Sequence, residues 1–281
     1  MSTARAEALS SFSVTKGRAG ATTTGHLPQK NSRLVRRWVS MEQQPLPPAQ
    51  EKESSRSSST RQTFAMERQP SGPEGSCRMR RARLGVLASG RGTNLEAIIA
   101  ASQKEDYPAE VVVVLSDNPE ATALERARQH GIPAQVVPPR EFGSRLRYEE
   151  ALVRILRDYG VDLVVLAGYM RLVGREFLRA FPDRVMNIHP SLLPAFPGLE
   201  AQRQALEYGV KISGCTVHFV DAEMDHGPII LQAAVPVLDG DTVESLAERI
   251  LAEEHRLYPE AIRLWAEGRL QIEGRRVRIL A

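Results

Sequence analysis

The chain has little cysteine and no long apolar run. Cys77 and Cys215 are its only cysteines, and no segment approaches the ~18 apolar residues of a membrane-spanning helix. Two cysteines form neither a disulfide framework nor a metal-site pattern, and they are typical of a protein from a reducing cytosol. No secretory apolar segment follows Met1. The sequence therefore predicts a cytoplasmic protein without membrane association.

The basic charge of the chain lies at one end. Residues 1–82 contain 14 Lys or Arg and 6 Asp or Glu, a net charge of +8, whereas residues 83–281 contain 23 and 28, a net charge of −5. The later residues therefore offer no basic surface of the kind that binds nucleic acid, and no nucleic-acid partner is expected.

Residues 1–82 are rich in Ser, Arg, Gln, Pro and Thr, and they keep neither a helical nor a strand period. This composition predicts a disordered basic extension, followed by an ordered domain over residues 83–281. The favoured interpretation of the extension is an over-extended start, with translation beginning at Met66 or Met79. Residues 1–40 contain a single acidic residue, so an organellar transit peptide is an alternative. A plain tail is the third interpretation.

Short apolar segments alternate with helical patterns in the first part of the ordered domain. The predicted strands are Leu84–Ala88, Val111–Leu115, Ala134–Val137, Leu163–Leu166 and Val185–Ile188. Asn118 is predicted to cap the helix after the second strand, with Pro119 at its first position. The alternation predicts an α/β fold with a doubly wound, mostly parallel sheet that binds ligands at the carboxyl ends of its strands.

The pattern changes after Pro190. Val217–Val220 and Ile229–Val237 are predicted strands separated by a short polar turn, which indicates an antiparallel C-terminal addition to the sheet. A long helix is predicted from Thr242 to Ala266, with a kink at Pro259.

The first predicted strand runs into Ser89-Gly-Arg-Gly-Thr-Asn94, which opens a helix. Its glycines allow close backbone approach, and the amides at a helix N-terminus favour a phosphate. Thr93 and Asn94 add a hydroxyl and an amide. Because Leu95 stands where the dinucleotide fingerprint has a third glycine, a mononucleotide-type phosphate is favoured over NAD. The alternative is a tight turn capped by Thr93, without a ligand.

Asn187 and His189 lie two residues apart at the end of the fifth predicted strand, so their side chains point to the same side. The Asn187 amide can stabilise an oxyanion, and His189 can donate or shuttle a proton. Asp225 lies in a polar turn, and a carboxylate brought to His189 would favour the imidazolium form. The alternatives are a packed, hydrogen-bonded histidine and a turn-forming aspartate.

The other histidines of the C-terminal half are not assigned to the site. His218 alternates with apolar residues in a strand and is predicted to be structural, and His226 is predicted to be exposed. His255 lies on the long helix. No pair of these histidines has metal-ligand spacing, so no metal is predicted.

Five segments, taken in order, resemble one family. They are Ser89–Leu95, Leu166–Leu172, Asn187–Pro194, Gly214–Val220 and Asp225–Gln232. Residues 83–281 resemble phosphoribosylglycinamide formyltransferase, and the third and fifth segments are specific for the wider folate-dependent formyltransferase superfamily. The first and second, together with Glu254–Pro259, indicate the glycinamide ribonucleotide branch. The resemblance implies the formyltransferase fold, a Rossmann-like sheet with an antiparallel C-terminal addition.

The resemblance implies transfer of a formyl group from 10-formyltetrahydrofolate, a co-substrate, to the amine of 5′-phosphoribosylglycinamide in de novo purine (IMP) biosynthesis. Both partners are small molecules, no metal takes part, and the enzyme is expected to be a monomer or a homodimer. Asn187 and a protonated His189 would stabilise the oxyanion of a tetrahedral intermediate. Asp225 would keep His189 protonated and order a water that relays the proton to N10.

The resemblance also assigns binding residues by position. Those expected at the ribonucleotide are Gly92, Thr93, Asn94 and Glu254, the first three at its phosphate and the last at its amine end. Those expected at the folate are Arg145, Met170, Arg171, Leu172, Val173 and Asn187. The chain departs from the family at Ala195, where some members carry Lys, and at Glu200 and Gln202, which replace a His-containing stretch. These departures concern fine substrate contacts, since none of the three residues belongs to the catalytic set.

Two other functions are alternatives. Formyltetrahydrofolate deformylase gives the formyl group to water and shares the Asn-x-His strand end, but it usually has a regulatory domain for which residues 1–82 show no pattern. A non-catalytic nucleotide-binding module would need the glycine loop but not Asn187, His189 and Asp225 together. Their joint presence favours the enzyme, which the fold alone would not do.

Overall fold

The computed structural model describes residues 80–281 of the chain. The predicted disordered extension, residues 1–82, lies outside the described residues except for its last three. Of these, Arg80 pairs with Asp162 at 2.8 Å, and Ala82 begins the first strand, one residue before the predicted start of the ordered domain.

The described residues form one nine-stranded sheet flanked by helices. Its strands are β1 (Ala82–Leu87), β2 (Ala109–Ser116), β3 (Ala134–Val136), β4 (Leu163–Leu166), β5 (Val185–His189), β6 (Ile212–Phe219), β7 (Ile229–Pro236), β8 (Leu270–Glu273) and β9 (Arg276–Ile279). The α-helices are α1 (Thr93–Ser102), α2 (Thr122–Gln129), α3 (Arg145–Asp158), α4 (Arg175–Ala180), α5 (Ala201–Tyr208) and α6 (Val243–Ala266).

The strand order is β3-β2-β1-β4-β5-β6-β7-β9-β8. Neighbours among β1 to β5 are parallel, whereas β6 is antiparallel to both β5 and β7. The predicted α/β fold, with a mostly parallel sheet and an antiparallel C-terminal addition, is confirmed. The carboxyl ends of β1, β4 and β5 therefore meet at one edge, where the predicted site residues follow them.

The helices pack on both faces of the sheet, and a separate apolar cluster fills each side. Ile98 of α1 and Ile250 of α6 are buried in one cluster, whereas Leu152 of α3 is buried in the other. Val86 and Leu87 of β1 enter opposite clusters, because successive side chains alternate between the faces of a strand. Burial on both faces explains why the central strands are apolar throughout.

The predicted cap at Asn118 is wrong. Helix α2 begins at Thr122, and Ala121 is its N-cap. The Asn118 side chain instead accepts a hydrogen bond from the Glu120 amide at 3.1 Å, which is an Asx turn ahead of the helix. Asn and Pro favour turns as well as helix starts, so the sequence signal was ambiguous.

Helix α6 begins with a reciprocal capping box. The Thr242 hydroxyl accepts from the Ser245 amide at 3.2 Å, and the Ser245 hydroxyl accepts from the Thr242 amide at 3.0 Å. Pro259 lies inside this helix, as predicted. None of the helices in residues 80–281 combines the length and the apolar character that a membrane crossing requires.

Candidate active site

His189 and Asp225 meet at the carboxyl end of β5. Nδ1 of His189 lies 3.4 Å from Oδ2 of Asp225, and the two side chains are only 6% and 12% exposed. Nε2 of the same ring lies 2.9 Å from the carbonyl oxygen of Phe196. Because a carbonyl oxygen only accepts, Nε2 carries a hydrogen, and a protonated ring can donate to both oxygens at once.

The turn that carries Asp225 is held from several sides. The Gly198 amide donates to Oδ2 of Asp225 at 2.8 Å, and the Phe219 amide closes the base of the turn on the Pro228 carbonyl at 2.9 Å. Gly227 is pressed against the Phe219 carbonyl, where a Cβ would collide. Asp225 itself has a φ of +50°, a left-handed conformation that carries an energetic cost for a residue with a Cβ, although Asp adopts it more readily than most.

His218 joins this group, and sequence reasoning missed it. The antiparallel register of β5 and β6 sets His218 opposite Asn187, with Nε2 of His218 3.3 Å from Nδ2 of Asn187 and 3.9 Å from Oδ1 of Asp225. Its Nδ1 lies 2.7 Å from the Phe219 carbonyl and so carries the hydrogen. Burial lowers the pKa of His218, which favours the neutral ring. The lone pair of Nε2 can then accept from the Asn187 amide.

Asn94 and Glu254 form a second buried pair. Nδ2 of Asn94 donates to Oε2 of Glu254 at 2.7 Å, and both residues are buried. Burial raises the pKa of Glu254, an effect that the hydrogen bond from Asn94 partly offsets. Oδ1 of Asn94 is buried without a partner in the described part of the chain. The Nδ2 end of the Asn94 side chain is thus taken up by Glu254.

Helix α1 begins with backbone donors that lack a side-chain cap among the described residues. Gly92 is its N-cap, with a φ of +72°, and no side chain of the described residues caps it. Thr93 is the first helical residue and does not cap the turn as the alternative interpretation expects. A Cβ at Gly92 would lie 2.7 Å from the backbone of Ala123, so the close packing of the loop on α2 requires glycine. The uncapped first-turn amides of Thr93 and Asn94 are suited to an anion.

Helix α6 is fixed against the strand ends by Tyr258. The fully buried hydroxyl of Tyr258 lies 3.0 Å from the Leu166 carbonyl and 2.9 Å from the Met186 carbonyl. Burial raises the pKa of Tyr258 well above its ordinary value, so the hydroxyl keeps its hydrogen. Glu254 lies one helical turn earlier on the same helix, where it meets Asn94.

Arg145 is tied to the segment after β4. Its Nε lies 2.7 Å from Oε1 of Glu149, and its Nη2 donates to the Leu172 carbonyl at 3.3 Å. The Gly174 amide also donates to Oε1 of Glu149, at 2.8 Å. The buried carboxylate of Glu149 therefore brings together the two parts of the chain that the resemblance assigns to the folate.

The segment Met170–Val173 lies between the glycine loop and α3. The Met170 amide donates to the Ser89 hydroxyl at 3.0 Å, and Arg171 pairs with Asp117 at 3.2 Å. Val173 is buried, whereas Met170 is 68% exposed and Leu172 41% exposed. The segment thus offers an apolar surface beside a guanidinium group.

A known family matches most of the described residues. A family model described as "Formyl transferase" matches residues 82–262. The chain belongs to the formyl transferase family.

Relatives of matching length narrow the family to one branch. The chain is 44% identical over 178 residues to "Phosphoribosylglycinamide formyltransferase" of Bacillus subtilis. The matched region covers 63% of this chain and 91% of the relative. It is 63% identical to the structure of "glycinamide ribonucleotide transformylase 1 from Symbiobacterium toebii", with a TM-score of 0.73 over 75% of this chain and 100% of the other. The predicted resemblance to phosphoribosylglycinamide formyltransferase is confirmed.

Some relatives are much longer. The chain is 44% identical over 199 residues to "Trifunctional purine biosynthetic protein adenosine-3" of Gallus gallus, which covers 71% of this chain but only 20% of the relative. The chain therefore spans about a fifth of that protein.

Proposed function

We propose that the chain transfers a formyl group from 10-formyltetrahydrofolate to the amine of 5′-phosphoribosylglycinamide in de novo purine biosynthesis. The observation that carries the proposal is the contact between His189 and Asp225 beside Asn187, at the end of β5. A proton donor, a carboxylate and an amide are the groups that acyl transfer through a tetrahedral intermediate needs. The proposed partners are these two small molecules, and the proposed enzyme is a cytoplasmic monomer or homodimer.

The residues near α3 suit a folate. Exposed Met170 and Leu172 can pack against an aromatic ring system. Arg145 uses Nε for Glu149 and Nη2 for the Leu172 carbonyl, which leaves Nη1 for the carboxylate tail of the folate. The folate supplies the formyl group, and these residues orient it toward the end of β5.

The uncapped start of α1 suits the ribonucleotide phosphate. The amides of Thr93 and Asn94 donate to it, and Gly92 lets the backbone approach closely. Oε2 of Glu254 is taken by Asn94, so Oε1 accepts from the amine end of the substrate. An anion site at the same edge of the sheet as Asn187 and His189 favours an organic phosphate over water as the formyl acceptor.

The transfer forms a bond from the substrate amine to the formyl carbon and breaks the bond from that carbon to N10. Asn187 gives one Nδ2 hydrogen to His218 and the other to the oxyanion. His189 moves its Nε2 hydrogen bond from the Phe196 carbonyl to the oxyanion. Asp225 balances the charge of His189 and orients a water that carries the proton lost by the amine to N10.

An absorbance assay that follows deformylation of the folate tests this proposal. Rapid deformylation that depends on phosphoribosylglycinamide, with one formylated ribonucleotide formed per folate consumed, supports it. Equal rates with and without the ribonucleotide would identify a deformylase and contradict the proposal. No consumption in either case, with both ligands bound, would identify a non-catalytic module.

A further inference from the structure

The C-terminal hairpin of β8 and β9 reaches back to the turn that carries Asp225. The hairpin lies beyond residues 82–262, which the family model matches. Its strand β9 pairs with β7 in parallel, with Arg276 opposite Ile229 at the end of that turn. The preceding residue, Arg275, is thereby brought to the turn itself.

Arg275 binds the residue that follows Asp225. Its Nη2 donates to the His226 carbonyl at 2.7 Å. Its Nη1 lies 2.7 Å from Nε2 and 3.0 Å from Nδ1 of the His226 ring. One guanidinium group therefore holds both the backbone and the side chain of the neighbouring residue.

The contact continues to the start of the turn. Nδ1 of His226 lies 2.7 Å from Oδ2 of Asp221, so the ring donates from Nδ1 and can accept from Arg275 at Nε2. Oδ1 of Asp221 in turn accepts from the Glu223 amide at 2.9 Å. Asp221, His226 and Arg275 thus form a chain of hydrogen bonds that spans the turn.

The Asp225 turn needs such an anchor. The φ of +50° at Asp225 carries an energetic cost even for Asp, which adopts this conformation more readily than most residues with a Cβ, so contacts around the turn help to maintain it. The Gly198 amide holds the carboxylate from one side. Arg275 holds the backbone from the other side, through its hydrogen bond to the His226 carbonyl.

We infer that Arg275 is a positioning residue for formyl transfer, which acts by holding the Asp225 carboxylate at His189. The inference rests on the proposed function of that pair. Loss of Arg275 lets the turn move and lengthens the contact between Asp225 and His189. Rate depends steeply on such distances, whereas the binding surfaces at α1 and α3 stay unchanged.

Arg275→Ala tests the inference, with Arg278→Ala as the matched control. Arg278 lies on the same hairpin and pairs only with Glu273 among the described residues, at 3.3 Å. We expect kcat of Arg275→Ala to fall by about tenfold, since a misplacement of about 1 Å costs up to about a hundredfold. KM of Arg275→Ala for both substrates should stay near the wild-type values. The control variant Arg278→Ala should keep the wild-type kcat as well. Arg275→Gln, which keeps a donor for the His226 carbonyl, should restore part of the rate.

Two further measurements separate positioning from general damage. In an Asp225→Asn background, Arg275→Ala should change kcat by less than about twofold, because both changes act on one group. The imidazole ¹H–¹⁵N signals of His189 should shift in Arg275→Ala and not in Arg278→Ala, and this result does not depend on turnover. The inference would be overturned by any of three results. These are equal kcat values in Arg275→Ala and Arg278→Ala, a kcat of the Asp225→Asn, Arg275→Ala double variant that equals the product of the two single effects, or unshifted His189 signals in Arg275→Ala. If the wild type fails to formylate the ribonucleotide, the proposed function fails, and the His189 signals still decide the role of Arg275.

Discussion

Nε2 of the buried His218 lies 3.3 Å from Nδ2 of the half-buried Asn187, beside Asp225. The Phe219 carbonyl holds the hydrogen on Nδ1, and burial lowers the pKa of His218, so its Nε2 acts as an acceptor. An acceptor at this point settles which way the Asn187 amide faces, because only the NH₂ end can point toward His218. The second hydrogen of that NH₂ group is then available for an oxyanion.

His218→Leu should lower kcat by about tenfold, as expected when one of the donors to an oxyanion is misoriented but not removed. Leucine fills most of the space of the histidine ring but cannot accept a hydrogen bond from Asn187. His218→Gln, whose carbonyl can accept, is the matched control and should recover part of the rate. Steady-state kinetics with both substrates measure this, and an equal loss in the two variants would argue that His218 only packs.

Glu254→Gln should weaken binding of the ribonucleotide and stabilise the fold. Burial raises the pKa of Glu254 above 4.5, so the folded state holds this proton more tightly than the unfolded state. The charge therefore destabilises the fold as pH rises above about 4.5, the ordinary value for the group, and the penalty is complete above the raised value. Glutamine removes the charge and can still accept from Asn94.

We expect the stability gain of Glu254→Gln to be larger at pH 8 than at pH 4, measured by denaturant unfolding. KM of Glu254→Gln for the ribonucleotide should rise by roughly ten- to a hundredfold, as for a lost hydrogen bond to a charged group, with the folate KM little changed.

Asn94→Asp should also raise the ribonucleotide KM more than the folate KM, because it sets a second carboxylate against Glu254. If either variant changed the ribonucleotide KM and the folate KM equally, the result would argue against a phosphate and amine site at these residues.

Gly92→Ala should destabilise the protein, whereas Gly90→Ala in the same loop should not. The φ of +72° at Gly92 and the 2.7 Å approach of a Cβ to Ala123 both oppose a side chain, but Gly90 has open space around it. The left-handed conformation alone accounts for about 1–2 kcal/mol. Thermal and denaturant unfolding of both variants measure the difference, and matching stabilities would contradict the assigned loop conformation.

Removal of residues 1–78 should leave folding and activity intact. Their composition does not supply a core, and the catalytic and binding residues proposed above all follow Gly85 in the chain. A chain that begins at Met79 can be compared with the full chain by circular dichroism and by the formyl-transfer assay. Loss of solubility or of most activity would make the extension part of the working enzyme.

Local patterns in the sequence predicted the parallel part of the sheet well. Leu163–Leu166 has the predicted bounds, and Asn187 and His189 share a strand end because side-chain alternation is a local property. His218 could not be assigned, since its contact with Asn187 depends on the register between β5 and β6. Register arises from packing of the whole sheet and leaves no local trace in a strand that is buried on both faces.

Contacts between distant parts of the chain were also beyond local patterns. Asn94 and Glu254 are 160 residues apart and meet only because Tyr258 and the apolar face of α6 fix that helix on the sheet. The hairpin of β8 and β9 was not predicted, because its strands are short and mostly exposed and carry charged side chains. Its link to the Asp225 turn through Arg275 is visible only once the strands are paired.

The contact between Asp225 and His189 underlies the proposed catalysis, and a double-mutant cycle in kcat measures whether the two residues act as one unit. Asp225→Asn keeps the shape of the side chain and removes its charge, so kcat should fall by roughly 10²–10⁴ while both substrates still bind. Adding His189→Asn to Asp225→Asn should lower kcat by far less than His189→Asn does alone, because members of one catalytic unit are not independent. If the loss of kcat in the double variant equals the product of the two single losses, Asp225 and His189 act independently. Asp225 would then be a turn residue without a part in the chemistry.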